Sequence, residues 1–155
     1  KSFAWKNMRL RILESNDATI LDKNNQSQYP GKSLAGVKLE IEADAKDTMV
    51  TLNSSKIFAR RTDGGKVFPL NFFFITNANT GLGISPVPQF FLEFKILIQG
   101  KEEISDNVLN IPFWTENGML DLTFNDKGTI KLILVFPENI RELTKVIIFG
   151  KELEL

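Results

Sequence analysis

Apolar and polar residues alternate over much of this chain, and a two-residue period is that of a strand with one buried face. Leu120, Leu122 and Phe124 alternate with Asp121 and Thr123, Asn125-Asp126-Lys127-Gly128 supplies turn residues, and Ile130, Leu132, Leu134 and Phe136 resume the alternation. This order predicts a β-hairpin with one buried face. Met8, Leu10 and Ile12 alternate with two arginines, and Val37, Leu39 and Ile41 with Lys38, Glu40 and Glu42, which predicts two more half-buried strands. Met49 to Leu52 reads as another strand. Ile57 to Arg61 is expected to pair with Lys66 to Leu70 across Thr62-Asp63-Gly64-Gly65, where two glycines permit positive φ. Phe90, Leu92, Phe94, Ile96 and Ile98 line one side of a predicted core strand. Asn71 to Thr76, with Phe72-Phe73-Phe74 at its centre, is apolar on both faces and so belongs in the interior or at a contact surface.

The remaining stretches are polar or broken. Ser15 to Gly36 is rich in Asn, Gln, Ser and Asp and predicts a long loop, with at most a short strand at Thr19 to Leu21. Asn77 to Gln89 carries two glycines and two prolines and predicts an irregular loop. After Gly100 a polar segment leads into Ile111-Pro112-Phe113-Trp114. Glu138 to Lys145 has room for one helical turn before Val146 to Phe149, and Leu153 and Leu155 close the chain in alternation with two glutamates. Roughly eight to ten short strands with frequent turns predict an all-β, two-sheet antiparallel sandwich of the immunoglobulin-like kind, with a β-barrel as the alternative.

Composition narrows the functional classes. At 155 residues the chain is one domain, 1–155, able to build its own core. Nineteen basic and nineteen acidic residues cancel, so no global field recruits polyanions and no nucleic-acid partner is expected. The chain has no histidine and no cysteine, which removes the usual general base, thiol nucleophile and zinc ligands. The reading is therefore a protein that is not an enzyme and has no cofactor. No apolar run is long enough for a transmembrane segment. The first residue, Lys1, is not methionine, which suits either a mature exported protein whose N-terminal signal or lipid anchor has been removed or a chain trimmed of its targeting segment.

Candidate contact residues remain. Glu42, Asp44 and Asp47 offer oxygen ligands at short spacing and are weak calcium candidates, against the plainer reading of a solvated turn. Gly31-Lys32-Ser33 resembles the tail of a phosphate-binding loop, but Gln26 stands where the first glycine is required. Lys56, Arg60, Arg61 and Lys66 fall in one hairpin and form either a basic strip for phosphate or an acidic partner, or the charged guard of an edge strand. Phe113 and Trp114, between Pro112 and a turn, form either an aromatic surface for a sugar or protein partner or a cap on the core. Leu82 and Ile84, in the Asn77 to Gln89 segment, complete the candidate binding set.

From Gly128 onward, an alternating strand, Val135-Phe136-Pro137, a short polar excursion and a final apolar strand resemble telokin-like, immunoglobulin-type domains of bacterial surface lipoproteins. The resemblance covers the C-terminal third, and in that family the aromatic and the proline stand further apart than Phe136 and Pro137. It implies an exported β-sandwich at the periplasm or cell surface and no catalytic residue. The expected function is a noncatalytic extracytoplasmic binding or adhesion domain with a protein or glycan partner. The alternatives are an assembly subunit pairing through the Phe72–Phe74 strand or a free sheet edge, and a calcium-assisted membrane-docking sandwich.

Overall fold

A computed structural model of the chain describes residues 2–5, 7–75, 82–85, 94–103, 108–112 and 118–155. Within them the strands are β1 (Ser2–Trp5), β2 (Met8–Leu21), β3 (Leu34–Ala43), β4 (Thr48–Asn53), β5 (Phe58–Arg61), β6 (Lys66–Val67) and β7 (Asn71–Ile75). They continue as β8 (Leu82–Ser85), β9 (Lys95–Ile98), β10 (Lys101–Glu102), β11 (Val108–Pro112), β12 (Met119–Phe124), β13 (Gly128–Phe136), β14 (Leu143–Ile148) and β15 (Lys151–Glu154). One-turn 3-10 helices at Ser54–Lys56 and Ile140–Glu142 precede β5 and β14.

Among the described residues the strands form an antiparallel two-layer sandwich and no closed barrel. The large sheet has the order β10-β9-β2-β3-β13-β7-β11, with β1 folded back on the first half of β2. Two smaller sheets, β4-β12-β8 and β15-β14-β5-β6, share the opposing layer. Val37, Leu39 and Ile41 of β3, Leu132 and Leu134 of β13, and Phe72 and Phe74 of β7 face Val50, Leu52, Leu122 and Phe124 from one small sheet and Ala59, Val146 and Ile148 from the other. Burial of these alternate rows is what closes the sandwich.

The predicted hairpin is not one. β12 pairs with β4 and β8, whereas β13 lies between β3 and β7 in the other layer, so residues 125–127 arch between the sheets. Alternation fixes which residues are buried and leaves the hydrogen-bonding partner open. β13 also buries Ile133 and Val135 on its second face, and only an interior strand with cover on both sides can do that.

Ser15 to Gly36 is also not mostly loop, because β2 runs unbroken to Leu21. The register between β2 and β3 shifts between Ile12 and Glu14, a bulge at the half-exposed Leu13. Beyond it the side-chain phase inverts: Leu10 and Ile12 join the core between the layers, Ala18 and Ile20 the opposite face. Pairing with β3 on one side and β9 on the other holds the polar stretch extended.

That opposite face carries a second core of Ile20, Leu34, Phe73, Ile96, Ile98, Ile133 and Val135, against which Tyr29, Leu70 and Phe94 pack. Gly36 sits beneath it, where a Cβ would stand 3.0 Å from Ala18 Cβ and 3.1 Å from Ile98 Cγ1. The phenylalanine run is thus interior: β7 has β13 on one edge and β11 on the other, and Phe72, Phe73 and Phe74 are all buried. It offers no pairing surface for another chain. Within Asn77 to Gln89, the predicted irregular loop, Leu82–Ser85 is a strand on β12, and β11 adds a strand that the polar segment before Ile111 concealed.

Candidate functional site

The Gly64-containing turn closes the β5–β6 hairpin: Gly64 has φ 90°, Arg61 N–H donates to the Gly65 carbonyl at 2.8 Å, and Gly65 N–H donates to Asp63 Oδ1 at 2.9 Å. That backbone bond, with the Arg61 charge beside it, holds the Asp63 carboxyl below the ordinary aspartate range. Ala59 pairs with Val67 on one side and Val146 on the other, and these three buried residues face the core. Strand geometry therefore sends their neighbours Phe58, Arg60 and Lys66 to the outer surface, with Phe68 following in phase.

Two rows result. Lys66, Arg60 and Lys145 stand directly opposite one another across three neighbouring strands, and Ile147 stands opposite Phe58 in the next row, with Phe68 beside it. Like charges in register disfavour the folded sheet by roughly 0.2–1 kcal/mol per juxtaposition. Lys145 is offset by Glu152 at 2.9 Å. Arg60 and Lys66 have no carboxylate within ion-pair distance among the described residues; instead their charges lie 5.1 and 4.6 Å from the Phe58 ring centre, and Arg60 donates to the Gly64 carbonyl at 3.0 Å. Phe68 meets Phe58 at 5.9 Å between centroids and remains 43% exposed. On β5 and β6 the outer face carries the two cations beside the apolar pair, while on β15 the same rows end in Glu154 opposite Lys145 and Glu152 opposite Ile147; the β5–β6 end is suited to an anionic surface that also carries apolar groups.

The expected basic strip is divided by the strand. Arg60 lies on this face, but Arg61, one residue on, is engaged by Glu138 and by Asp63 at 3.3 Å. Lys56 belongs to the 3-10 turn and lines a separate groove. The calcium candidates do not converge. Glu42 lies on β3 with Arg9 at 4.0 Å, Asp44 N–H donates to the Asn7 carbonyl, Asp47 takes positive φ in an exposed turn, and no three acidic groups come together among the described residues. Leu82 and Ile84 stand in register with Phe124 and Leu122, two fully buried residues, rather than with the Asp121 and Thr123 row. Phe113 and Trp114 lie outside the described residues.

Phe58 and Phe68 were not among the sequence candidates, yet the signal was present. The two-residue spacings 58/60 and 66/68, folded about the Gly64 turn, place all four residues on one face of one hairpin.

A groove lies elsewhere on the described surface. It encloses about 420 Å³ and is lined by Thr51 and Asn53 of β4, Lys56, Ile57, Met119 at the start of β12, and Phe149 and Gly150 of the β14–β15 turn. Met119 is half exposed and Ile57 is buried. No protein-family model matches the chain, and no curated protein matches it in sequence.

Proposed function

We propose that this chain is a noncatalytic binding or adhesion domain of an exported bacterial protein, and that it docks an acidic, partly apolar protein partner on the outer face of the four-stranded sheet. The observation that carries the reading is the in-register row of Lys66, Arg60 and Lys145 beside the exposed Phe68. A sheet that retains adjacent like charges gains from an anionic partner what it gives up in isolation. An exposed aromatic next to the cations supplies the desolvated anchor on which such interfaces depend. The export part of the reading rests on the C-terminal resemblance to bacterial surface lipoprotein domains.

The test is affinity capture from envelope extracts of the native host with the wild-type chain, Lys66→Glu and Phe68→Ser side by side. Capture by the wild type should fall steeply as salt rises from 0.1 M to 1 M, where the screening length shortens from about 10 Å to about 3 Å. Both variants should lose the same protein. Capture of an identical set by all three chains would remove this face from the account.

A further inference from the structure

The groove beside the β14–β15 turn is a second, independent site, and we propose that it binds a small amphiphilic anion, a carboxylate or sulfonate on a short apolar body. Its volume of about 420 Å³ falls in the range of small-molecule pockets, about 300–1,000 Å³. The apolar body has Ile57, Met119 and the Phe149 ring to pack against. The head group has Lys56, an exposed cation that has no carboxylate within ion-pair distance among the described residues. Asn53 adds an amide. Its Oδ1 already accepts from Ser55 N–H at 3.0 Å and Ser55 Oγ at 2.7 Å, which leaves its NH₂ group as the donor available to an anion.

The Thr51 hydroxyl donates its proton to Asp121 Oδ1 at 2.6 Å, so at that end of the groove its oxygen is an acceptor. The lining therefore carries one cation and one amide donor at Lys56 and Asn53 and an acceptor at Thr51, so an anionic head group is complemented at the Lys56 end of the cleft.

The backbone at Phe149 points the same way. Phe149 and Gly150 have φ of 53° and 70° in a two-residue hairpin turn, and Gln99 and Gly100 repeat the geometry at 53° and 73° between β9 and β10. Such turns favour Asn, Asp or Gly at the first position, and a large aromatic in the left-handed region is uncommon. A ring placed there carries a backbone cost that its packing has to offset. Phe149 reaches both the edge of the main core and the wall of the groove.

The experiment is a two-dimensional NMR titration of the folded chain with octanoate, repeated with 1-octanol and repeated again on Lys56→Gln. Octanoate should shift the amides of Thr51, Asn53, Lys56, Ile57, Met119 and Gly150 and saturate in the millimolar range. The Lys56→Gln variant should bind octanoate about threefold more weakly, the scale of an exposed ion pair, with 1-octanol unaffected. Equal binding of acid and alcohol, with no effect of Lys56→Gln, would overturn the anionic class. Shifts confined to Phe58–Arg60 and Lys66–Phe68, or no saturable shifts at all, would overturn the site. The spectrum of Lys56→Gln itself reports whether the variant is folded.

Discussion

Two phenylalanines separate the proposed docking face from the core, and their truncations should differ accordingly. Phe73 is fully buried in the second core, between Ile133 and the β11 side of the large sheet. Phe73→Ala removes the ring from a sealed site and should cost about 3–5 kcal/mol. For a domain whose total stability is on the order of 5–15 kcal/mol, this is a severe loss. At roughly 2–4 °C per kcal/mol for a chain of this length, Tm should fall by about 6–20 °C. Phe68 is 43% exposed, so only part of its roughly 1.5–3 kcal/mol burial value is realised. Adding about 0.5 kcal/mol for the ring contact with Phe58 gives a cost for Phe68→Ala of about 1–2 kcal/mol. Urea unfolding followed by far-ultraviolet circular dichroism measures both: the midpoint should shift at constant m, at least about one and a half times as far for Phe73→Ala. Equal losses would make Phe68 a structural pin and withdraw it as a docking anchor. A loss below about 1 kcal/mol at Phe73 would contradict a sealed second core.

Three further outcomes follow from local geometry. Gly118 has φ 57° and a Cβ there would overlap Ser54 Oγ, while Ser54 N–H donates to the Gly118 carbonyl; Gly118→Ala should therefore cost at least about 2 kcal/mol in urea unfolding, and a neutral result would contradict the close approach. Gly36→Val should destabilise by a comparable amount, since Ala18 and Ile98 already occupy the space, and its midpoint should drop well below that of the wild type. Asp63 is ionised to a lower pH in the folded chain than in the unfolded one, so its stabilising contribution is complete above about pH 4 and fades as pH falls through the depressed folded value. An NMR titration should place its midpoint below that of an ordinary aspartate, with Arg61→Gln moving it upward; a midpoint at or above the ordinary value would contradict the turn geometry.

Much of the fold was legible because burial writes itself into alternation. The rows Val37-Leu39-Ile41, Leu120-Leu122-Phe124 and Leu132-Leu134-Phe136 all face the core between the layers as their period requires. Pairing was less legible, since the same alternation serves a hairpin and an arch, and the turn residues 125–127 suit both. The full length of β2 was hidden by its bulge, which inverts the phase at Leu13 and joins two half-strands that look unrelated when read at a single period. β11 was hidden by its short polar lead and by Pro112, which an edge strand tolerates. Of the site, Arg60 lies on the outer face of its hairpin, as its place in the alternation allows. Arg61 was grouped with it only because adjacency in sequence was taken for adjacency in space, whereas a strand sends neighbours to opposite faces.

The central claim, that the Phe68 face is where this domain meets its partner, is tested most directly by site-specific photocrosslinking in the native host. A benzophenone amino acid at position 68 is compared with the same group at position 23, an exposed site in the loop after β2 of the other layer. The account predicts one discrete adduct from position 68, lost on adding Lys66→Glu, and none of that adduct from position 23. The same adducts from both positions, or none from position 68, would contradict it.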